Sequence, residues 1–215
     1  MSSTRSGLFL VVDGPDGAGK TTLVQRLIAR LQDAGIDALA VRQPGGTPLA
    51  ELARTAALDP QYEASPLAEL FLMLAARADQ IAKVIRPALD AGRVVVSDRY
   101  DLATHAYQIE GRGLPRDAVV EANELATDGL RPHLTIVLDL SAEEGLRRQA
   151  HDGKVPDRIE REGREWHQRI AEVFRRASGP GVAHLDATGS PDDVAQAAWD
   201  ILQAHFAEAL GGGKR

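Results

Sequence analysis

The run Gly14-Pro15-Asp16-Gly17-Ala18-Gly19-Lys20-Thr21 has the spacing G-x-x-x-x-G-K-T. That pattern suits a chain that must wrap around an anion. Glycines let successive backbone N–H groups turn inward. A helix starting at Lys20 adds its positive end. Lys20 brings a cation to the outer phosphates of a nucleotide, and the Thr21 hydroxyl can meet a divalent ion. Gly14, Gly17, Ala18, Gly19, Lys20, Thr21 and Thr22 are therefore the expected contacts to ATP phosphates. A second pair, Asp98-Arg99, follows the apolar run Val94-Val95-Val96. At the end of a parallel strand, Asp98 faces the ligand crevice and can join Thr21 around Mg²⁺, while Arg99 can meet a phosphate. An Asp-Arg pair after a strand can also be a plain surface ion pair.

These residues need elements to hold them. Leu8–Val12, Asp37–Val41, Arg93–Ser97, Leu134–Leu140 and Val182–Asp186 read as strands. Lys20–Asp33 has apolar residues at Leu23, Leu27, Ile28 and Leu31, a helical spacing. Glu69–Ala91 reads as one long helix that Pro87 can kink. Pro115–Thr127 and Pro191–Leu210 also read as helices. Strands separated by helices predict a three-layer α/β fold with a parallel sheet covered on both faces. Arg147–Arg164 is rich in charge and poor in apolar residues. It reads either as a flap over the site or as a solvated helix pair with a loop. The expected organisation is one domain over 1–215 with a flap at about 147–164.

The chain has 215 residues, 44% hydrophobic and 26% charged, the make-up of a globular protein. It has no cysteine, which excludes disulfides, thiolate metal sites and cysteine nucleophiles and fits a reducing, cytoplasmic setting. A net charge of −6 and 4% aromatic residues argue against nucleic-acid binding. No apolar stretch approaches the length of a membrane helix, and none at the N-terminus reads as a secretion signal.

The glycine-rich loop alone is shared by switch GTPases, transport ATPases and small-molecule kinases. Reading guanine takes Asn-Lys-x-Asp, but the single asparagine, Asn123, is followed by Glu124. A transporter signature of the Leu-Ser-Gly-Gly-Gln type is also missing. Five blocks then narrow the choice: Asp13–Thr22 (DGPDGAGKTT), Arg42–Pro48 (RQPGGTP), Ala75–Pro87 (AARADQIAKVIRP), Asp98–Gly113 (DRYDLATHAYQIEGRG) and Asp157–Glu160 (DRIE). In these blocks, their order and their spacing, the chain resembles the thymidylate kinases, P-loop nucleoside monophosphate kinases. The resemblance implies a five-stranded parallel sheet flanked by helices with a LID, and a homodimer. It implies transfer of the γ-phosphoryl group of ATP, with Mg²⁺, to a deoxypyrimidine 5′-monophosphate such as dTMP.

The resemblance also implies roles. Lys20, Arg99, Arg158 of the LID and Asp16 would be catalytic, with Lys154 and Arg148 as further candidates for the LID cation. Arg42 and Arg99 would meet the acceptor phosphate. Asp16 would approach the acceptor's sugar and phosphate. Arg77 would hydrogen-bond the base, beside Met73, Thr104 and Gln108. Tyr107 would crowd the sugar 2′ position. The loop near Asp186-Ala187-Thr188 would border adenine. From the residues alone, Arg77 could also be a capped surface arginine, though its otherwise apolar helix favours a buried partner or ligand, and Tyr107 could be plain core.

Four positions depart from the family pattern. Gln43 stands where glutamate is common, Met73 where phenylalanine stacks on the base, and Ala103 where a serine is common; His151-Asp152 replaces basic LID residues. The first three predict an altered or broadened base preference, possible in a specialised nucleotide pathway. The LID change favours, as a further alternative, a nucleotide-binding protein without turnover.

Overall fold

Apolar runs in this chain become the central sheet. The computed structural model describes residues 7–151, 153 and 155–211, with side chains through residue 207. Lys154, one of the LID candidates, lies outside the described residues. Strands β1 (Leu8–Asp13), β2 (Ala38–Arg42), β3 (Val94–Asp98), β4 (Leu134–Asp139) and β5 (Val182–Asp186) form one sheet in the order β2-β3-β1-β4-β5, and every pairing is parallel. In β1, Phe9 and Val11 face one side and Leu10 and Val12 the other, and all four are buried. Buried residues on both faces explain why β1 reads as a continuous apolar run.

Helix α1 (Lys20–Asp33) begins where the glycine-rich loop ends. Its Leu23, Leu27 and Leu31 pack on the face that α9 (Pro191–Gly211) also covers. Helix α2 (Pro48–Leu58) follows the Pro-Gly-Gly turn, capped by Thr47 Oγ1 on Ala50 N–H at 3.0 Å. Helix α3 (Pro66–Gln80) packs along it. The expected long helix over Glu69–Ala91 is in fact three segments: α3, a π-helical turn at Ile81–Ile85, and α4 (Arg86–Asp90). Pro87 has no N–H and its ring crowds the carbonyl four residues earlier. The wider π turn falls just before it, with Ile81 and Ile85 still buried under the sheet.

The other face carries α5 (Asp101–Thr104), a second π-helical segment (His105–Gly111), α6 (Arg116–Thr127), α7 (Ala142–His151) and α8 (Arg164–Arg176). Thus the first residues of the expected flap, Arg147–His151, are the last turns of α7. Among the described residues no helix is long and apolar enough to cross a membrane.

Candidate active site

The C-terminal ends of β1, β2 and β3 open into one cavity of about 990 Å³. At its phosphate end the loop after β1 turns tightly onto α7. A Cβ on Gly17 would lie 2.3 Å from the Gly145 carbonyl oxygen, and Gly17 has φ +76°. Gly145 in turn has no room for a side chain against the Asp16 carbonyl. Glycine meets glycine here, so the first turn of α7 presses directly on the phosphate loop. Gly19 caps α1 in the left-handed conformation at φ 87°, a shape other residues adopt at a cost.

Lys20 is buried, and its Nζ donates to the Pro15 carbonyl at 2.7 Å. Burial, with the nearby Arg99 cation, pushes its pKa down to about 8, against the pull of Asp16, Asp98 and Asp13. Thr21 Oγ1 donates to Asp98 Oδ2 at 2.5 Å. A hydroxyl and a carboxylate oxygen in contact fit Mg²⁺, which takes hard oxygen ligands and is held by one or two carboxylates together with substrate phosphates.

The seam between the two halves of the cavity is a chain of charges. Arg99 pairs with Asp16, donates to the Gly14 carbonyl at 3.2 Å, and lies 3.6 Å from Asp13. The Tyr107 hydroxyl donates to Asp16 Oδ2 at 3.0 Å, with the Arg99 guanidinium over its ring at 4.9 Å. Burial works to raise Asp16, but Arg99 and Lys20 hold it below the ordinary carboxylate range. Burial pushes the Tyr107 phenol well up, so it stays a donor. Tyr107 also packs on Trp166 and Phe174. It is buried in the core and lines the cavity at once.

Arg99 has φ 71°, rare for a side-chain-bearing residue and worth about 1–3 kcal/mol of strain. The bonds Arg99 N–H to Val12 O (2.9 Å) and Ser97 Oγ to Arg99 O (2.7 Å) hold it there. Asp13, which sequence reasoning left as a strand end, contributes too. Its carboxylate accepts from Gly14 N–H at 3.0 Å and Tyr100 N–H at 3.3 Å, joining the phosphate loop to the Arg99 segment. Burial raises its pKa to about 6, with Arg99 and Lys20 opposing.

The other end of the cavity contains Arg42, Gln43, Met73, Arg77, Ala103, Thr104, Tyr107 and Gln108 in one wall system. Arg42 pairs with Glu51 at 2.8 Å, and Glu51 also accepts from Gly46 N–H. Arg54 was not singled out from the sequence. It lies three residues after Glu51 on α2, lines the cavity, and donates to the Pro44 carbonyl at 3.0 Å. Arg77 is buried and bonded only to neutral groups: Gln43 Oε1, Thr104 Oγ1, Asn123 Oδ1 and the Tyr100 carbonyl. An arginine can only donate, so Gln43 Oε1 must face it. That leaves Gln43 Nε2 buried without a partner. A glutamate at 43 would have given Arg77 a carboxylate; here its charge has none in hydrogen-bond contact.

At the far end Gly189 and Pro191 line the cavity, one and three residues beyond the expected adenine loop. Arg147, Arg148 and His151 of α7 line it as well, and Arg148 donates to the Ala187 carbonyl at 2.9 Å. Gly14 and Ala18 support the loop from outside the cavity lining, whereas Asp16, Gly17, Gly19, Lys20, Thr21, Thr22, Asp98 and Arg99 form it. Arg158 does not line it either. Its guanidinium bonds to Glu69 at 2.6 Å and to the Ala57 carbonyl at 2.7 Å, which turns it away from the phosphate loop. The reason is a buried carboxylate on α3 that the DRIE block does not reveal.

The family model described as thymidylate kinase matches residues 12–198. The chain is similar to a thymidylate kinase of Pseudomonas entomophila (strain L48), with 46% identity over 210 residues, covering 96% of this chain and 100% of that protein. It is 42% identical over 210 residues to one from Synechococcus sp. (strain JA-2-3B'a(2-13)), covering 95% and 98%. A third, from Deinococcus radiodurans, is 42% identical over 196 residues, covering 90% and 95%.

Proposed function

The chain belongs to the thymidylate kinase family, and on that premise we propose that its cavity carries the γ-phosphoryl group of ATP to dTMP, yielding dTDP and ADP. The observation that supports this most is the single cavity with a phosphate loop at one end, a base-sized wall at the other, and the Asp16–Arg99–Tyr107 chain between them. A phosphate oxygen of dTMP forms a bond to the γ-phosphorus as the bond from that phosphorus to the bridging oxygen breaks, and ADP leaves. The acceptor oxygen attacks directly, so no side chain serves as nucleophile. The protein supplies position and positive charge.

Lys20 and the loop N–H groups hold the β- and γ-phosphates. Thr21 and Asp98 would hold Mg²⁺, which would supply neutralising charge to those phosphates. Arg42, Arg54 and Arg99 hold the acceptor phosphate. Asp16 keeps Arg99 aimed at the seam and Tyr107 closes the sugar side. Of the LID arginines, Arg148 borders the cavity and takes the role of LID cation ahead of Arg158. Arg77, Met73, Thr104 and Gln108 receive the base.

The test is a panel of monophosphates (dTMP, dUMP, dCMP and ribosyl-TMP) with Mg²⁺ and ATP. We expect dTMP to lead dCMP by at least about tenfold in kcat/KM, as a site with fixed donors discriminates. Another monophosphate matching dTMP would instead establish the broadened base preference that Gln43, Met73 and Ala103 suggest.

We also propose a homodimer through α2 and α3. Leu49 and Leu52 on α2, with Leu67 and Phe71 on α3, are exposed on adjacent helices, Leu52 by 70%. An apolar patch of this kind marks a contact surface. Sedimentation as a monomer at micromolar concentration would contradict it.

A further inference from the structure

Glu69 sits in the first turn of α3 and is fully buried. Its carboxylate gathers side chains from two separate parts of the chain. Gln108 Nε2 donates to Oε1 at 2.8 Å, Arg112 Nε donates at 3.1 Å, and Arg158 Nη2 donates at 2.6 Å. Gln108 stands in the cavity wall and is itself 3% exposed.

The chemistry of the contact fixes the direction of the Gln108 amide. A carboxylate bound by two guanidiniums only accepts. Nε2 of Gln108 must therefore face Glu69, and Oε1 must take the other side. The structure gives that oxygen no hydrogen-bond partner. In the same wall Arg77 has five N–H groups and four bonds, so one Nη2 hydrogen is left.

We propose that Glu69 is a positioning residue for base choice: by locking the Gln108 amide it presents an acceptor oxygen to the base beside the Arg77 donor. This rests on the reading of the cavity as a pyrimidine monophosphate site. A pyrimidine with a C4 carbonyl and an N3–H matches the wall, carbonyl to Arg77 and N3–H to Gln108 Oε1. A C4-amino pyrimidine places a donor against the Arg77 donor and a bare N3 against an acceptor. Glu69 touches no substrate and acts only through Gln108. Because the same carboxylate holds Arg158, the root of the LID is tied to the residue that reads the base.

Glu69→Gln tests this. An amide at 69 both donates and accepts, so Gln108 is free to turn over. The ratio of kcat/KM for dTMP to that for dCMP should fall at least about tenfold, a change on the order of one hydrogen bond. The fall should come from a higher dTMP KM and a gain for dCMP, with kcat for dTMP within about threefold of wild type. Should Glu69→Gln fail to fold, Glu69→Asp retracts the carboxylate from Gln108 while leaving a negative charge for Arg112 and Arg158, and the ratio should shift in the same direction. On a Gln108→Leu background, Glu69→Gln should change the ratio no further. A lower Tm with an unchanged ratio in a dTMP-active protein overturns the proposal and leaves Glu69 a structural carboxylate. Wild-type protein that fails to phosphorylate dTMP overturns the parent reading and this one together.

Discussion

Replacing Lys20 with alanine is expected to lower kcat for dTDP formation by about 10³-fold, with a smaller rise in KM for ATP. The size follows from removing one preorganised charge at the position where negative charge develops during transfer. The folded protein should survive the change. The Lys20 ammonium bonds only to the Pro15 carbonyl, 2.7 Å away, and it carries a desolvation cost that the alanine lacks. That cost also gives a pH signature. Burial and the nearby Arg99 push the pKa of Lys20 down to about 8, so above that pH the free protein loses the cation that greets ATP. The free protein's pKa governs kcat/KM, so kcat/KM for ATP should decline as pH rises through about 8. Bound phosphates hold the proton on, so kcat should decline later. In Lys20→Ala this decline should vanish. A variant within tenfold of wild-type kcat would remove Lys20 from the chemistry.

Arg99→Ala is expected to cost about 10³- to 10⁴-fold in kcat/KM for dTMP. Arg99 neutralises Asp16, and in the proposed transfer it would also meet the acceptor phosphate. Without it Asp16 and Asp13 keep their burial but lose their nearest cation. An unpaired buried carboxylate repels the incoming phosphate and also costs stability, on the order of 3–5 kcal/mol when a buried pair is broken. Arg99→Lys should recover little activity. A lysine has no planar fork to join Asp16 and the Gly14 carbonyl together. Steady-state kinetics beside thermal unfolding separates the two effects. A catalytic loss under tenfold with a lowered Tm would make Arg99 a purely structural residue.

The strands were legible because burial on both faces leaves a plain apolar run, as in β1 and β3. Helix α1 was legible to the residue because a glycine-rich loop sets its start and its apolar spacing is regular. Helix α2 was not read; its buried positions are Ala50, Ala53 and Ala57, and alanines leave a weak apolar stripe. The π turn at Ile81–Ile85 was hidden, because a wider turn of five residues barely alters the pattern over a long helix. The phosphate loop, with Thr21 and Asp98 at its edge, stands in the sequence because its chemistry is local. What lay hidden depends on distant partners. Arg158 reads as a LID cation until Glu69, on another helix, is seen to hold it. Nothing in the sequence singles out Gly145; only the fold shows Gly17 pressed against it. Arg54 has its signal in the i, i+3 spacing from Glu51, but only the cavity shows what that face borders.

The most direct test of a cavity that holds both nucleotides for one direct transfer is the initial-rate pattern of the wild-type protein with dTMP and Mg²⁺·ATP varied together. Intersecting double-reciprocal lines, with one dTDP formed per ADP, are expected of a ternary complex in which the acceptor oxygen attacks the γ-phosphorus itself. Parallel lines, or ADP released without dTDP, would mean that the phosphoryl group rests on the protein or passes to water, and would contradict the account at its centre.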